Sequence, residues 1–336
     1  MNGSSAYFAS GLVAVLSTRL IKGDKIVRLS NCVDLSSAYK LLQEFGYASF
    51  SKLDSPDFEP LLMQEMAQTI AFLNKYTMVT ELTNIFVTFY DFLNIKLLVK
   101  SKKLDKDLSS SCLTFGSIEV KELFNAIAKQ DYSSLPQFAQ DLLNEYDKTE
   151  LAPYEIDLIA DKAMYKHFLS LAKKSNNKEM LDYVKVDIDL TNIMSSYRSL
   201  NANFTAEFTR QFFIEGGNLL LQDLSFDTLT SLTNSFDVKD YELFGKFNRS
   251  VYLPLCKLCL KICQEKTSFA QAETYVDSYK KKFLQPYSSV NNSVMPLIYY
   301  YLAKQAEISN VRIILSCIKN KIDKELIKTR LKDIYV

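Results

Sequence analysis

One short pattern occurs three times in this chain of 336 residues. Asp91-Phe92-Leu93-Asn94-Ile95 returns as Asp189-Leu190-Thr191-Asn192-Ile193, and again as Glu307-Ile308-Ser309-Asn310-Val311. The common form is an acid, an apolar residue, any residue, an Asn, then a β-branched aliphatic. The copies recur at separations of roughly a hundred residues, the signature of a repeated structural unit. Each lies in a stretch whose apolar residues follow helical spacing. An echo follows the first two copies, where Gly116 and the pair Gly216-Gly217 each precede a further apolar segment. The pattern therefore predicts three tandem helical units, residues 1–108, 109–208 and 209–336.

An acid and an Asn three residues apart lie on the same face of a helix. A polar pair among apolar neighbours is costly to bury unless its hydrogen bonds are made. A single copy reads more simply as two residues facing water. Three copies on three long helices favour a pair that bonds to backbone or to an adjoining helix and fixes how units meet. The candidate structural residues are Asp91, Asn94, Asp189, Asn192, Glu307 and Asn310, together with Arg312 just beyond the third copy. Because that copy has Glu for Asp, its geometry must differ.

The rest of the chain supports an all-α fold. Glycine and proline number only 8 and 7, too few for the turns of a β-rich fold. Leu62, Met66, Ile70 and Leu73 keep the three-to-four spacing of an amphipathic helix, and 78–100 continues it. Pro153 ahead of Ile156, Ile159, Ala160, Ala163 and Met164 reads as proline in a first turn. A last long helix is expected from Met295 to Ile322, with Pro296 in its first turn. Clean period-two alternation is rare, so almost no sheet is expected.

Charge excludes some functions. The chain has 40 basic and 39 acidic residues, a net charge of +1, which gives no broad electrostatic footprint for nucleic acid or an anionic bilayer. The stretch from Ala6 to Leu16 has the apolar character of a signal core. No basic residue precedes it, however, and Arg19 and Lys22 follow it, the reverse of a secretory signal. A buried first helix is expected instead. The most apolar stretches, 251–260 and 294–303, are shorter than the ~18 residues that crossing a membrane requires, so no direct transmembrane segment is expected.

Catalytic signals are few. His167, the single histidine, lies in an apolar helical stretch without a nucleophile motif and reads as a satisfied structural residue. Cys256, Cys259 and Cys263 share a helical face. They lack a fourth metal ligand and the βαβ setting of a redox motif, and read as small buried hydrophobes. Asp187 and Asp189 point in different directions on a helix. The Gly216-Gly217 pair alone is not a phosphate cradle, and no P-loop or GxGxxG is present. Neither a catalytic residue nor a cofactor or metal is expected.

The residues from Pro296 to Leu315 resemble a helix typical of the C subunit (the d subunit in eukaryotes) of V-type and A-type ATPases, which reads P-x-x-x-Y-x-x-x-K-E-x-E-I-x-N-[IL]-R-x-I. Tyr300, Lys304, Glu307, Asn310 and Arg312 match, while Gln305 stands where the family has an acid. Asp189 to Ile193 resembles the family's middle D-[LI]-x-N-[IL], Leu35 to Leu42 its early A-x-x-L-L segment, and Arg330 to Val336 its usual close. Gly11-Leu12-Val13-Ala14 departs from the arginines that the family often carries in its first helix.

The resemblance implies a funnel of three related helical units about a pseudo-threefold axis. It implies a non-catalytic central-stalk rotor part, peripheral at the cytoplasmic face of a membrane. Its implied partners are the D and F subunits of the rotor shaft and the membrane proteolipid (c/K) ring, in a complex that moves protons or sodium ions. The contrasting expectation is a soluble helical-repeat adaptor without a rotary partner.

Overall fold

The computed structural model describes residues 3–47, 56–77, 79–148, 150–231, 252–290, 293–322, 327 and 331. Among these every regular element is helical. In chain order they are α1 (Gly3–Arg19), α2 (Asp24–Ser30), α3 (Leu35–Glu44), α4 (Glu59–Tyr76), α5 (Thr80–Lys103), α6 (Val120–Lys129) and α7 (Gln137–Tyr146). There follow α8 (Pro153–Lys174), α9 (Lys178–Asn201), α10 (Ala206–Arg210), α11 (Phe226–Ser231), α12 (Leu253–Glu265), α13 (Ala270–Leu284) and α14 (Met295–Lys319). Of the closing stretch Arg330 to Val336, only Leu331 lies among the described residues.

Local chemistry accounts for many of the boundaries. Pro153 opens α8, where its missing N–H has no helical partner to lose, and the Glu155 carboxylate accepts from the Ala152 N–H at 2.6 Å. Asn177 caps α9 by accepting from the Met180 N–H at 2.7 Å, and Asp34 caps α3 through the Ser37 N–H at 2.8 Å. At the far end of α1, the Lys25 ammonium donates to the carbonyls of Thr18, Arg19 and Leu20, which suits the negative end of a helix.

The three helices that carry the repeated pattern also end alike. They are α5, α9 and α14, with 24, 24 and 25 residues. Eleven positions beyond Asn94, Asn192 and Asn310 stand Asp105, Asn203 and Lys321, each left-handed at φ 50°, 57° and 54°. The next N–H reaches back to a carbonyl inside the helix: Lys106 to Ser101, Phe204 to Ser199 and Ile322 to Cys317, at 3.1, 3.0 and 2.9 Å. This is the closing turn that usually employs glycine. Asp105 and Asn203 are of the types that tolerate this conformation best after glycine, and Lys321 bears the larger cost, roughly 1 kcal/mol.

The chain forms two compact units. One comprises Met1–Met78 with Phe269–Val336, and so takes in both ends of the chain; the other is Val79–Ser268. In the first, α14 packs against α1, α3, α4 and α13, and every residue from Val294 to Ala303 is buried. In the second, α5 packs on α8, α8 on α9, and α9 on α12.

One expectation needs correction and a second needs a fuller reason. The first helix is buried on one side only: Ala9 and Val13 face inward, but Tyr7 and Phe8 are 56% and 60% exposed. The apolar residues of α1 exceed what one packed face accommodates. Among the described residues, α5 is also long and apolar enough to cross a membrane, although 67% of its apolar window is buried inside the protein. Its length escapes a scan for unbroken apolar runs because Thr, Asp and Asn punctuate it.

Candidate functional site

The repeated pairs are deeply buried polar groups. Asp91, Asn94, Asp189, Asn192, Glu307 and Asn310 are all buried, with at most 2% exposure. On α5, the Asn94 carboxamide holds both backbone groups of one residue: its Nδ2 donates to the Leu113 carbonyl at 2.7 Å, and its Oδ1 accepts from the Leu113 N–H at 2.9 Å. Asp91, one turn earlier, accepts from the Ser117 N–H at 2.9 Å, the Ser117 hydroxyl at 2.6 Å and the Ile118 N–H at 3.0 Å. The pair thus fastens the loop that leads into α6.

On α9 the arrangement repeats. Asn192 donates to the Ile214 carbonyl at 2.8 Å and accepts from its N–H at 2.9 Å. Asp189 accepts from the Asn218 and Leu219 N–H groups at 2.8 and 2.9 Å, from the Asn218 carboxamide at 2.8 Å, and from the Tyr252 hydroxyl at 2.8 Å. The correspondence is residue for residue: Leu113, Gly116, Ser117 and Ile118 match Ile214, Gly217, Asn218 and Leu219.

The glycines in that series have a steric cause. A Cβ on Gly116 would stand 2.0 Å from Asp91 Oδ1, and one on Gly217 would stand 2.3 Å from Asp189 Oδ1. Hydrogen is the only substituent that lets the carboxylate reach the two N–H groups beyond. Burial pushes both Asp carboxyls above the ordinary carboxylate range, and the donors around them pull partly back.

On α14 the acid is held differently. Glu307 accepts from the Ile21 N–H at 2.6 Å, the Tyr47 hydroxyl at 2.8 Å and the Lys304 ammonium at 2.6 Å. Lys304 also pairs with Glu65 of α4 at 3.0 Å and lies 4.3 Å from the centre of the Tyr47 ring. Burial works to lower the Lys304 ammonium, yet Glu307 and Glu65 together carry it above its ordinary value. Burial, then the Glu307 charge, push the Tyr47 phenol well up. Arg312 sits two turns along from Lys304 and grips the Glu59 carboxylate with two nitrogens, at 2.9 and 3.0 Å, tying α14 to the start of α4.

The repeat picks out the acids and asparagines but not Glu65, Lys304 or Tyr47. Glu65 leaves a trace in the sequence, being a carboxylate among the apolar residues Leu61, Leu62 and Met66. Lys304 stands one turn before Glu307.

The remaining candidates make packing contacts. Cys259 Sγ lies 3.7 Å from Met194 Sδ, and the Cys263 thiol donates to the Tyr197 carbonyl at 3.5 Å. Burial pushes the Cys256 and Cys259 thiols up to about 12, away from the thiolate that redox or metal chemistry uses. His167 packs between tilted rings, its centre 4.6 Å from that of Phe138 and 6.0 Å from that of Phe92, and burial lowers it to about 4. Its Nε2 has no hydrogen-bond partner among the described residues, so the expectation of a fully satisfied histidine fails; the ring serves as an aromatic core residue. A cavity of 270 Å³ beside α9 and α10 is lined by Asn192, Ser196, Thr209, Phe212 and Phe213 among others.

Residues 9–330 match the family model described as ATP synthase (C/AC39) subunit. The chain belongs to that family. As a C/AC39 member it is the C subunit of a V/A-type rotary ATPase, a membrane-associated complex. The C subunit of the V-type sodium ATPase of Enterococcus hirae is 25% identical over 321 residues, covering 94% of this chain and 92% of its own. The C subunit of the A-type ATP synthase of Methanosarcina barkeri is 25% identical over 355 residues, covering 98% and 94%. That of Methanococcoides burtonii is 25% identical over 254 residues, covering 72% and 68%.

Proposed function

We propose that this protein is a non-catalytic rotor part of the central stalk, seated on the cytoplasmic end of the membrane proteolipid ring and receiving the tip of the D–F shaft. Three tandem helical units, residues 1–108, 109–208 and 209–336, stand about a pseudo-threefold axis and form a socket between shaft and ring. The role needs stiffness rather than chemistry, and close-packed helices supply it because protein interiors have low compressibility. The observation that carries this reading is the matching register of α5, α9 and α14, from buried acid to buried Asn to left-handed closing residue. Three helices built to one plan suit a part that meets a ring of repeated protomers.

The repeated residues act within this part as fasteners. Asp91, Asn94, Asp189 and Asn192 hold loops against α5 and α9, Glu307 holds residue 21 against α14, and Arg312 braces α14 on α4. Torque passing between shaft and ring crosses these joints without a covalent link.

The expected result of removing this protein is a headpiece that still hydrolyses ATP but no longer drives ion transport. The check is ATPase activity and ion uptake, measured side by side in vesicles with and without it. An equal loss of ATPase activity in the purified catalytic sector overturns the proposal.

A further inference from the structure

The third acid takes a backbone N–H from the other end of the sequence. Asp91 takes the N–H of a buried aliphatic residue 27 positions onward, and Asp189 does so 30 positions onward. Glu307 takes the N–H of buried Ile21, 286 positions back. The local settings nevertheless correspond. Ile118 stands two residues before α6, Leu219 two residues before the short 3-10 helix Leu221–Leu224, and Ile21 three residues before α2.

We infer that Glu307 is a clasp joining the two ends of the chain: residue 21 occupies on α14 the position that residues 118 and 219 occupy on α5 and α9. The compact unit of Met1–Met78 with Phe269–Val336 is therefore closed by a bond between residue 21 and α14. The inference rests on hydrogen-bond geometry within one compact unit and stands apart from the rotor role.

Two features that otherwise look like irregularities follow from this. The residue two before the held N–H is Gly116 or Gly217 in the first two joints and Arg19 in the third. Asp can reach past a glycine, because no Cβ intervenes. With Arg19 at that position the backbone cannot come as near, and the additional methylene of Glu307 spans the gap. The exchange of Asp for Glu and of Gly for Arg is one change seen from two sides.

The second feature is the ionic surround. A loop that follows its helix in sequence is kept close by the chain itself. A loop arriving from the opposite terminus lacks that tether and must be captured. Tyr47 donates to the same carboxylate from three residues beyond α3, and Lys304 bridges it to Glu65 on α4. One carboxylate thus gathers the N–H of residue 21, the hydroxyl of Tyr47 and, through Lys304, the middle of α4.

Amide hydrogen exchange on the full-length protein carrying Glu307→Gln tests the clasp. The carboxamide offers the Ile21 N–H and Lys304 a poorer acceptor. Exchange at residues 20–24 is expected to accelerate by about tenfold or more while the amides of Ile118 and Leu219 keep their rates, because local opening is independent of distant joints. Unchanged exchange at Ile21, or equal acceleration at Ile118 and Leu219, overturns the inference. If Glu307→Gln does not fold, Tyr47→Phe carries the test, since it removes one donor and leaves the carboxylate. Faster exchange confined to 20–47 and α14 supports the clasp; no change there, or change spread over all three joints, overturns it.

Discussion

The joints on α5 and α9 and the joint on α14 solve one problem with different materials. In the first two, an Asp meets neutral donors at short range past a glycine, and an Asn holds both backbone groups of a nearby residue. In the third, a longer acid takes its N–H from the far end of the chain and is enclosed by a phenol and an ammonium shared with a second carboxylate. Contact between residues close in sequence needs little more than shape. Contact between opposite termini recruits charge, and charge makes that joint the more sensitive to a single substitution.

The largest effect that would sharpen this contrast is expected from Lys304→Met. It leaves Glu65 and Glu307 buried side by side without a counter-charge, which costs about 3–5 kcal/mol. A chemical-denaturation midpoint lowered accordingly supports the contrast, and a midpoint within error of the parent breaks it.

Next comes Asn192→Leu, which strands the N–H and carbonyl of Ile214. Each unsatisfied buried group costs roughly 1–3 kcal/mol, and relaxation of the loop toward water recovers part of the sum, so a loss of about 2–4 kcal/mol is expected in the same measurement, with weaker assembly. An unchanged midpoint with normal assembly would remove the fastening role of the asparagines.

Smallest is Gly116→Ala, which forces a methyl group against the Asp91 carboxylate and costs about 1–3 kcal/mol by overpacking. Arg19→Gly is its counterpart in the third joint. If steric closeness is confined to the Asp joints, the alanine destabilises α5's loop, and the glycine produces no gain in protection at Ile21 in hydrogen exchange. A gain there would show that the third joint is as close-fitted as the others.

Much of the fold is legible in the sequence, because helical spacing and proline positions are local signals. Pro153 and Pro296 open helices as their positions predict. The repeat points directly to six buried polar residues, since polar groups fixed at one register on long apolar helices are difficult to explain by solvent exposure alone. Their partners are less legible. Leu113 and Ile214 lie about twenty residues from the asparagines that hold them, and nothing in a backbone N–H marks it in a sequence. Gly116 and Gly217 are visible as echoes, but the sequence suggests a turn, whereas what requires glycine is the approach of a carboxylate. Ile21 is beyond reach of any local reading. The buried Nε2 of His167 is similarly invisible, because it depends on which rings happen to surround it.

The contact between Asp91 and the bare α-carbon of Gly116 also bears on how such a chain can change over generations. Drift at either position alone carries a steric cost: a side chain at 116 displaces the acid, and a longer acid at 91 meets the loop too soon. Descendants that alter both avoid it, and the pairing of Arg19 with Glu307 is one such arrangement. Distant kin that have lost the glycine should therefore be sought by a lengthened acid at the matching helix position, where similarity searches that score columns one at a time would count two unrelated losses.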